Sequence, residues 1–477
     1  MKRGEIVELE ITDLAFGGKG IARVNLGEQT GYVVFVPNSI PGQLVKCRII
    51  KKRKKHAEGK LLEVLRKSSE EVENGYQAIP GAPYATWPIE KQQAHKKESS
   101  IQLFRRIGDV ENIADSLDEF ITSPLDWHYR NKMEYSFSTV RFDIPTRTEI
   151  DEPALGFKHR GQWLAVENMD ADSGLFDKEI EDNIQHIRKW CEASGLPFWH
   201  PARHHGFFRF LTFRKSFKNN RMLINLTTHS DGIDDFDGEG FAKLCTDLWG
   251  DRVAGILQSV NSTTGDRTMD EPEEVRQLFG EPIIHDTLLG LDFEISMRSF
   301  FQPNPNAAQK LYQKAIDYVF DGKEPSESEV VMDLFCGTGT IGQILTSQSG
   351  GNKEIIGVDI IPEAIENAKE NAEKNGLTGL KFFAADVGKF LREYPDYQNR
   401  IDTIVLDPPR GGIAPKTLQK IIHLGAKRIV YVSCNPATQA RDTIDLREAG
   451  YEIKKWSLVD QFPHTSHVET VVLFDKA

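Results

Sequence analysis

The chain has 477 residues, 39% hydrophobic and 27% charged, with a formal net charge of −12. Its length gives material for two to four domains, and no apolar run approaches the roughly 18 residues of a membrane span, so no membrane partner is expected. The acid excess argues against indiscriminate nucleic-acid binding. Five widely spaced cysteines without a C-x-x-C pair, and an opening Met1-Lys2-Arg3-Gly4-Glu5 without a signal-peptide core, point to a reduced, cytoplasmic protein with no metal site.

Residues 1–67 read as a small all-β module. Strand-like runs at Ile6–Ile11, Gly31–Val36, Leu44–Ile50 and Lys60–Leu65 alternate with turns, among them a tight loop at Phe16–Ala22. About five such strands suit a small closed barrel of the oligonucleotide-binding type. Between Lys46 and Lys67 stand ten Lys or Arg against two acids, Glu58 and Glu63. That is either a solvated strand pair or a local face for phosphates. Residues 68–295 follow as a mixed α+β domain, with helices at Glu90–Arg106 and Lys178–Glu192 and an antiparallel sheet.

From 296 to 477 the pattern alternates strand and helix, which predicts a Rossmann-like parallel sheet with right-handed crossovers. The strands expected are Val330–Phe335, Glu354–Ile360, Lys381–Ala385, Ile401–Asp407 and Arg428–Cys434, then Tyr451–Val459 and Glu469–Phe474. In such sheets ligands bind at the carboxyl ends of the strands.

The first strand runs into Gly337-Thr338-Gly339-Thr340-Ile341-Gly342, a literal G-x-G-x-x-G. This pattern alone admits a nicotinamide or flavin, and Asp359 at the end of the next strand could hold the ribose of either kind of adenosine ligand. Asp333 before the loop and Asp386 after the third strand tip the balance. A pyrophosphate gains little from acids around its loop, whereas a sulfonium and an amino group gain much, so S-adenosylmethionine is favoured.

Asp407-Pro408-Pro409-Arg410 ends the fourth strand. By itself it would suit amino-group methylation of a base. Cys434, in Ser433-Cys434-Asn435-Pro436, changes the chemistry. A lone strand-end cysteine is ordinarily a small buried hydrophobe, but here a helix N-terminus follows, which favours a thiolate. Uracil C5 is a poor nucleophile until a thiolate adds at C6, and a base must later remove the C5 proton. Glu469, entering the final apolar strand, is the candidate base, its pKa raised by partial desolvation. His464 and His467 read as loop residues.

Taken together these residues resemble the RNA 5-methyluridine methyltransferase family along nearly the whole chain. Phe300-Phe301-Gln302-Pro303-Asn304, Asp333–Gly339, Asp407–Gly412, Ser433–Pro436 and His467-Val468-Glu469 are similar to its motifs in order, and Tyr129–Glu134 to a central-domain motif. Residues 1–67 are similar to the TRAM RNA-binding module. The resemblance implies Cys434 as nucleophile and Glu469 as base. It implies S-adenosylmethionine contacts from Gln302, Phe335, Gly337, Thr340, Asp359, Asp386 and Asp407, with Arg130 and Lys132 supporting RNA. It further implies a structured RNA partner, 23S ribosomal RNA before transfer RNA, and no DNA. Many relatives hold an iron–sulfur cluster on four central-domain cysteines. The matching stretch here, Ala78–Trp87, has none, so no cluster is expected. The rival readings are an amino-group methyltransferase and a non-catalytic RNA-binding factor.

Overall fold

The computed structural model describes residues 1–27, 29–159, 164–265, 271–322, 330–350, 353–397 and 400–477. The chain divides into two compact units. The first comprises Met1–Pro88, Leu125–Asp286 and Glu294–Pro305, and the second Ile89–Pro124, Thr287–Phe293 and Asn306–Ala477. This division departs from the boundaries expected at 67 and 295. The stretch 89–124 leaves the middle of the chain for the second unit, whereas Gln302 falls in the first.

In the first unit the N-terminal module is a sheet of six strands. Their spatial order is Ile6–Glu10, Leu44–Lys52, His56–Arg66, Gln29–Pro37, Lys19–Leu26 and Asp13–Ala15. The sixth, Asp13–Ala15, is too short to show as a separate run in the sequence. The loop expected over Phe16–Ala22 is a turn only as far as Gly18, after which the chain re-enters the sheet at Lys19. Alternation along the strands turns Val34 and Val36, and Val45, Cys47 and Ile49, into one core. Arg48 and Lys51–Lys55 are exposed. The basic run is therefore the solvent face of a hairpin whose other face is apolar.

Residues 78–87 pack onto this module: Tyr84 and Trp87 share a core cluster with Leu14 and Ile40, and the two rings meet edge-on at 5.6 Å. An apolar anchor thus occupies the cysteine-free stretch Ala78–Trp87. The rest of the unit is built on a nine-stranded sheet. Its middle strands Phe208–Lys215 and Met222–Thr228 are buried throughout. It is mainly antiparallel, but Met222–Thr228 pairs parallel with Val253–Val260.

The second unit is an eight-stranded sheet in the order Leu380–Ala384, Glu354–Asp359, Val330–Leu334, Ile401–Leu406, Arg428–Ser433, Glu469–Lys476, Tyr451–Asp460, Leu117–Thr122. The first five strands pair in parallel, and Glu469–Lys476 runs antiparallel to both its neighbours. The last, Leu117–Thr122, comes from the 89–124 stretch and pairs parallel with Tyr451–Asp460. In the same stretch the helix Ile89–Arg106 sets Phe104 against Trp456, with ring centroids 5.2 Å apart. Five predicted strand ends fall one residue earlier than expected. The chain leaves the ladder just before Phe335, Ile360, Ala385, Asp407 and Cys434.

Trp87→Ala should cost about 3–5 kcal/mol, as for other large aromatic truncations in a core. Thermal unfolding that shows no loss, followed by a probe in the N-terminal module, would refute the anchoring role of this side chain.

Candidate active site

Three consecutive pairings bring distant residues to one edge of the second unit's sheet. Leu334 pairs with Leu406, and Leu406 with Tyr431. Ser433 pairs with Thr470 in the antiparallel strand. The carboxyl ends of the strands leading to Phe335, Asp359, Asp407 and Cys434 therefore share an edge with the amino end of the strand that starts at Glu469. An antiparallel strand supplies its first residue where parallel ones supply their last. Cys434 and Glu469 directly flank the Ser433–Thr470 pair.

The glycine turn opens with Phe335 at φ +61°, a left-handed conformation uncommon for a non-glycine residue and often associated with ligand sites. Gly337 has φ +54°, and a Cβ there would meet no atom within 4 Å, so the backbone faces open space. A Cβ on Gly339 would lie 2.4 Å from the Phe382 ring, which fixes glycine for packing. Thr340 begins the helix Thr340–Gln348.

The acids are placed differently from one another. Asp359 accepts the Gly337 N–H at 3.0 Å and the Ile361 N–H at 2.9 Å, so it ties the glycine turn to its own loop. Asp386 caps the helix Val387–Glu393 through the Lys389 N–H at 2.8 Å and pairs with Lys420 at 3.1 Å. Burial raises its pKa, but those contacts outweigh burial and hold it below the usual range. Asp386 thus has a structural cap role that the sequence reading did not assign.

Asp333 is fully buried. One carboxylate oxygen accepts the Gly342 N–H at 2.9 Å, and the other has no hydrogen-bond partner. Burial, with Asp407 and Asp359 adding, pushes its pKa up to about 8. Asp407 keeps some exposed surface, yet the protein crowds its carboxyl, and desolvation raises it to about 7. Glu469 is 5% exposed. Burial, with Asp407 adding and Arg410 opposing, pushes it up to about 8, the direction expected from the sequence. A buried, unpartnered acid oxygen beside an open glycine turn fits a cationic ligand with an amino group, and S-adenosylmethionine is such a ligand.

Cys434 departs from expectation. Asn435 caps the helix Pro436–Glu448 through the Ala437 N–H at 3.2 Å, so the thiol does sit beside a helix N-terminus. A helix end is worth at most about 1–2 kcal/mol. Burial, with Glu469 and Asp407 adding and Arg410 opposing, outweighs it and pushes the thiol up to about 11. The resting group is a thiol, not a thiolate.

A layer beneath these groups went unnoticed in the sequence. Thr470 donates to Gln439 at 2.6 Å, Gln439 donates to the Tyr431 carbonyl at 2.7 Å, and the Tyr431 hydroxyl donates to Asp442 at 2.8 Å. Asp442 also accepts the Ile413 N–H at 3.3 Å, and Asn435 donates to the Arg410 carbonyl at 3.0 Å. This chain fastens the Asp407–Gly412 loop to the strands bearing Cys434 and Glu469. Its members are ordinary strand and helix residues, without a local signature. His464 is pushed down to about 3, by burial first and Lys96 second, and so stays neutral.

Gln302 lies in the first unit, where Asn131 donates from its side chain to the Gln302 carbonyl at 3.0 Å and from its backbone to the Pro303 carbonyl at 2.7 Å. The Arg130 side chain donates to the Lys132 carbonyl at 3.2 Å, and Lys132 pairs with Glu134 at 2.7 Å. Among the described residues no group of three or more His, Cys, Asp or Glu is arranged to hold a metal ion, and no helix is long and apolar enough to cross a membrane.

A TRAM domain model matches residues 1–62, and a methyltransferase domain model matches residues 325–465. A Clostridium tetani protein described as an uncharacterized RNA methyltransferase is 34% identical over 479 residues, covering 99% of this chain and 98% of its own. One from Caldanaerobacter subterraneus subsp. tengcongensis, similarly described, is 34% identical over the full length of both. Among solved structures, Pyrococcus abyssi tRNA (uracil-54, C5)-methyltransferase in complex with S-adenosyl-L-homocysteine aligns with a TM-score of 0.69 at 23% identity. That alignment covers 98% of this chain and 100% of that one, a likeness of fold.

The raised carboxyls make a stability prediction. A folded-state pKa above the unfolded value near 4 gives stability that is full below about pH 4 and lost as pH rises through 7 to 8. Asp407→Asn and Glu469→Gln should therefore raise the melting temperature of the ligand-free protein at pH 8. The gain should vanish near pH 4. Equal gains at both pH values would show that these carboxyls are not desolvated.

Proposed function

This chain belongs to the family of S-adenosylmethionine-dependent RNA methyltransferases that carry a TRAM domain, and from that premise we propose that it methylates C5 of a uridine in structured RNA through a covalent Cys434 adduct. The observation that carries the reading is the pairing of Ser433 with Thr470. It sets a cysteine and a desolvated carboxyl side by side at the edge where the Asp407 loop begins.

In this mechanism the Cys434 proton passes to solvent before the uracil base closes over the site. Cys434 Sγ forms a bond to uracil C6, and the electron pair moves onto the C5–C4–O4 enolate. When bound, S-adenosylmethionine supplies the electrophilic methyl group that C5 takes up. Glu469 then removes the C5 proton, the C6–S bond breaks, and the electron pair returns to Cys434. A base near pH 8 suits this task, because its conjugate acid is neither too weak nor too strong at working pH. Phe335, Gly337, Thr340, Asp359 and Asp407, with Asp386, are proposed to hold the methyl donor. Asp333 and Asp407 favour its positive charge.

The RNA we propose is 23S ribosomal RNA, because within the family the TRAM module is more typical of ribosomal enzymes; the exposed basic hairpin Arg48–Lys55 suits phosphate contacts with structured RNA of either kind. Transfer RNA is the second reading, because the P. abyssi neighbour is named for a tRNA substrate. A cytoplasmic setting is proposed from the five free cysteines.

Incubation of both RNAs with methyl-labelled S-adenosylmethionine, followed by nucleoside mass spectrometry, tests the reading. Wild type should give labelled 5-methyluridine in ribosomal RNA, and Cys434→Ala should lose activity by a factor of at least about 10³, as when a covalent nucleophile is removed. Label in another nucleoside, surviving in Cys434→Ala, would instead establish an amino-group enzyme. No label in either RNA would favour a binding role.

A further inference from the structure

The helix Ile89–Arg106 carries a stripe of buried residues, Gln92, Lys96, Ser100, Ile101 and Phe104, at helical spacing. The half of that stripe toward the N-terminus is polar. Gln92 is fully buried, and it accepts the His464 N–H at 2.9 Å and contacts His464 Nδ1 at 3.1 Å. Lys96 is 1% exposed and donates to Asp460, itself fully buried, at 2.5 Å and to the Phe462 carbonyl at 3.0 Å. A buried ion pair is weak evidence for stability and is better explained by the geometry it imposes.

What these contacts hold is the loop from Asp460 to His467, which ends two residues before Glu469. His464 sits at φ +63°, a strained conformation that the surroundings must enforce. Within the loop, Thr465 donates to the Phe462 carbonyl at 2.8 Å and accepts the His467 N–H at 3.2 Å. At its start, Val459 pairs with Glu469 across the sheet. Both ends of the loop therefore bear on the backbone of the same residue.

We propose that Gln92 and Lys96 are positioning residues for Glu469, acting through the Asp460–His467 loop to hold the carboxyl where it can take the C5 proton. The proposal rests on the role given to Glu469 in the reaction above. A carboxyl misplaced by about 1 Å slows the step it serves by roughly 10²-fold, while the earlier steps, which do not use it, keep their rates.

The discriminating readout is the denaturant-stable protein–RNA adduct that forms before proton removal and disappears after it. Gln92→Ala should form this methylated adduct at a rate within about threefold of wild type and release product about 10- to 100-fold more slowly. The adduct would then accumulate, as in Glu469→Gln. If Gln92→Ala fails to fold, the double variant Lys96→Met/Asp460→Leu serves, because a buried pair replaced by apolar residues of similar volume is commonly tolerated. It should show the same accumulation. Equal slowing of adduct formation and release, or release at the wild-type rate, would overturn the proposal and leave the helix a purely structural role. An adduct in Glu469→Gln but not in the helix variants removes this inference alone. No adduct in Glu469→Gln either removes the covalent reading, and this inference with it.

Discussion

The site depends on one electrostatic constraint: several carboxyls are desolvated close together at one sheet edge. Asp333, Asp407 and Glu469 are each pushed upward by burial, and Asp407 adds to the effect on the other two. Like charges close together in a medium of low effective dielectric cannot all ionise cheaply. Arg410 offsets this only in part, since its side chain is exposed. The resting edge therefore stores protons and favours a cation, which is the electrostatic complement of a sulfonium donor.

The same constraint accounts for the cysteine. A helix N-terminus lowers a thiol's pKa by stabilising negative charge, but that stabilisation is small beside burial and two neighbouring carboxyls. Cys434 consequently rests protonated. A cation entering among the carboxyls that raise it would favour negative charge there and so lower the thiol's pKa.

Rigid support for the edge comes from parts of the chain that carry no chemistry. The chain Thr470–Gln439–Tyr431–Asp442 links the Glu469 strand to Ile413, the residue that follows the Asp407–Gly412 loop. The helix Ile89–Arg106 packs Phe104 on Trp456, and the strand Leu117–Thr122 extends the sheet beyond Tyr451–Asp460 as its last strand. In the first unit, the Tyr84–Trp87 pair anchors residues 78–87 to the N-terminal module through a shared apolar cluster.

The sequence determined the alternation of strand and helix after residue 330, the glycine turn, and the acids and cysteine that end successive strands, because those features have fixed local periods and turn chemistry. It also determined that Glu469 enters an apolar strand, and hence the direction of its pKa. Only the tertiary structure decided that residues 89–124 join the second unit. A stripe containing Gln92, Lys96 and Ser100 looks solvent-facing until a partner buries it. Only pairing across the sheet revealed that burial, with Glu469 and Asp407 adding to it, outweighs the helix end beside Cys434. Local pattern fixes what each segment is, whereas desolvation and Coulomb interactions depend on which distant segments are brought within reach of one another.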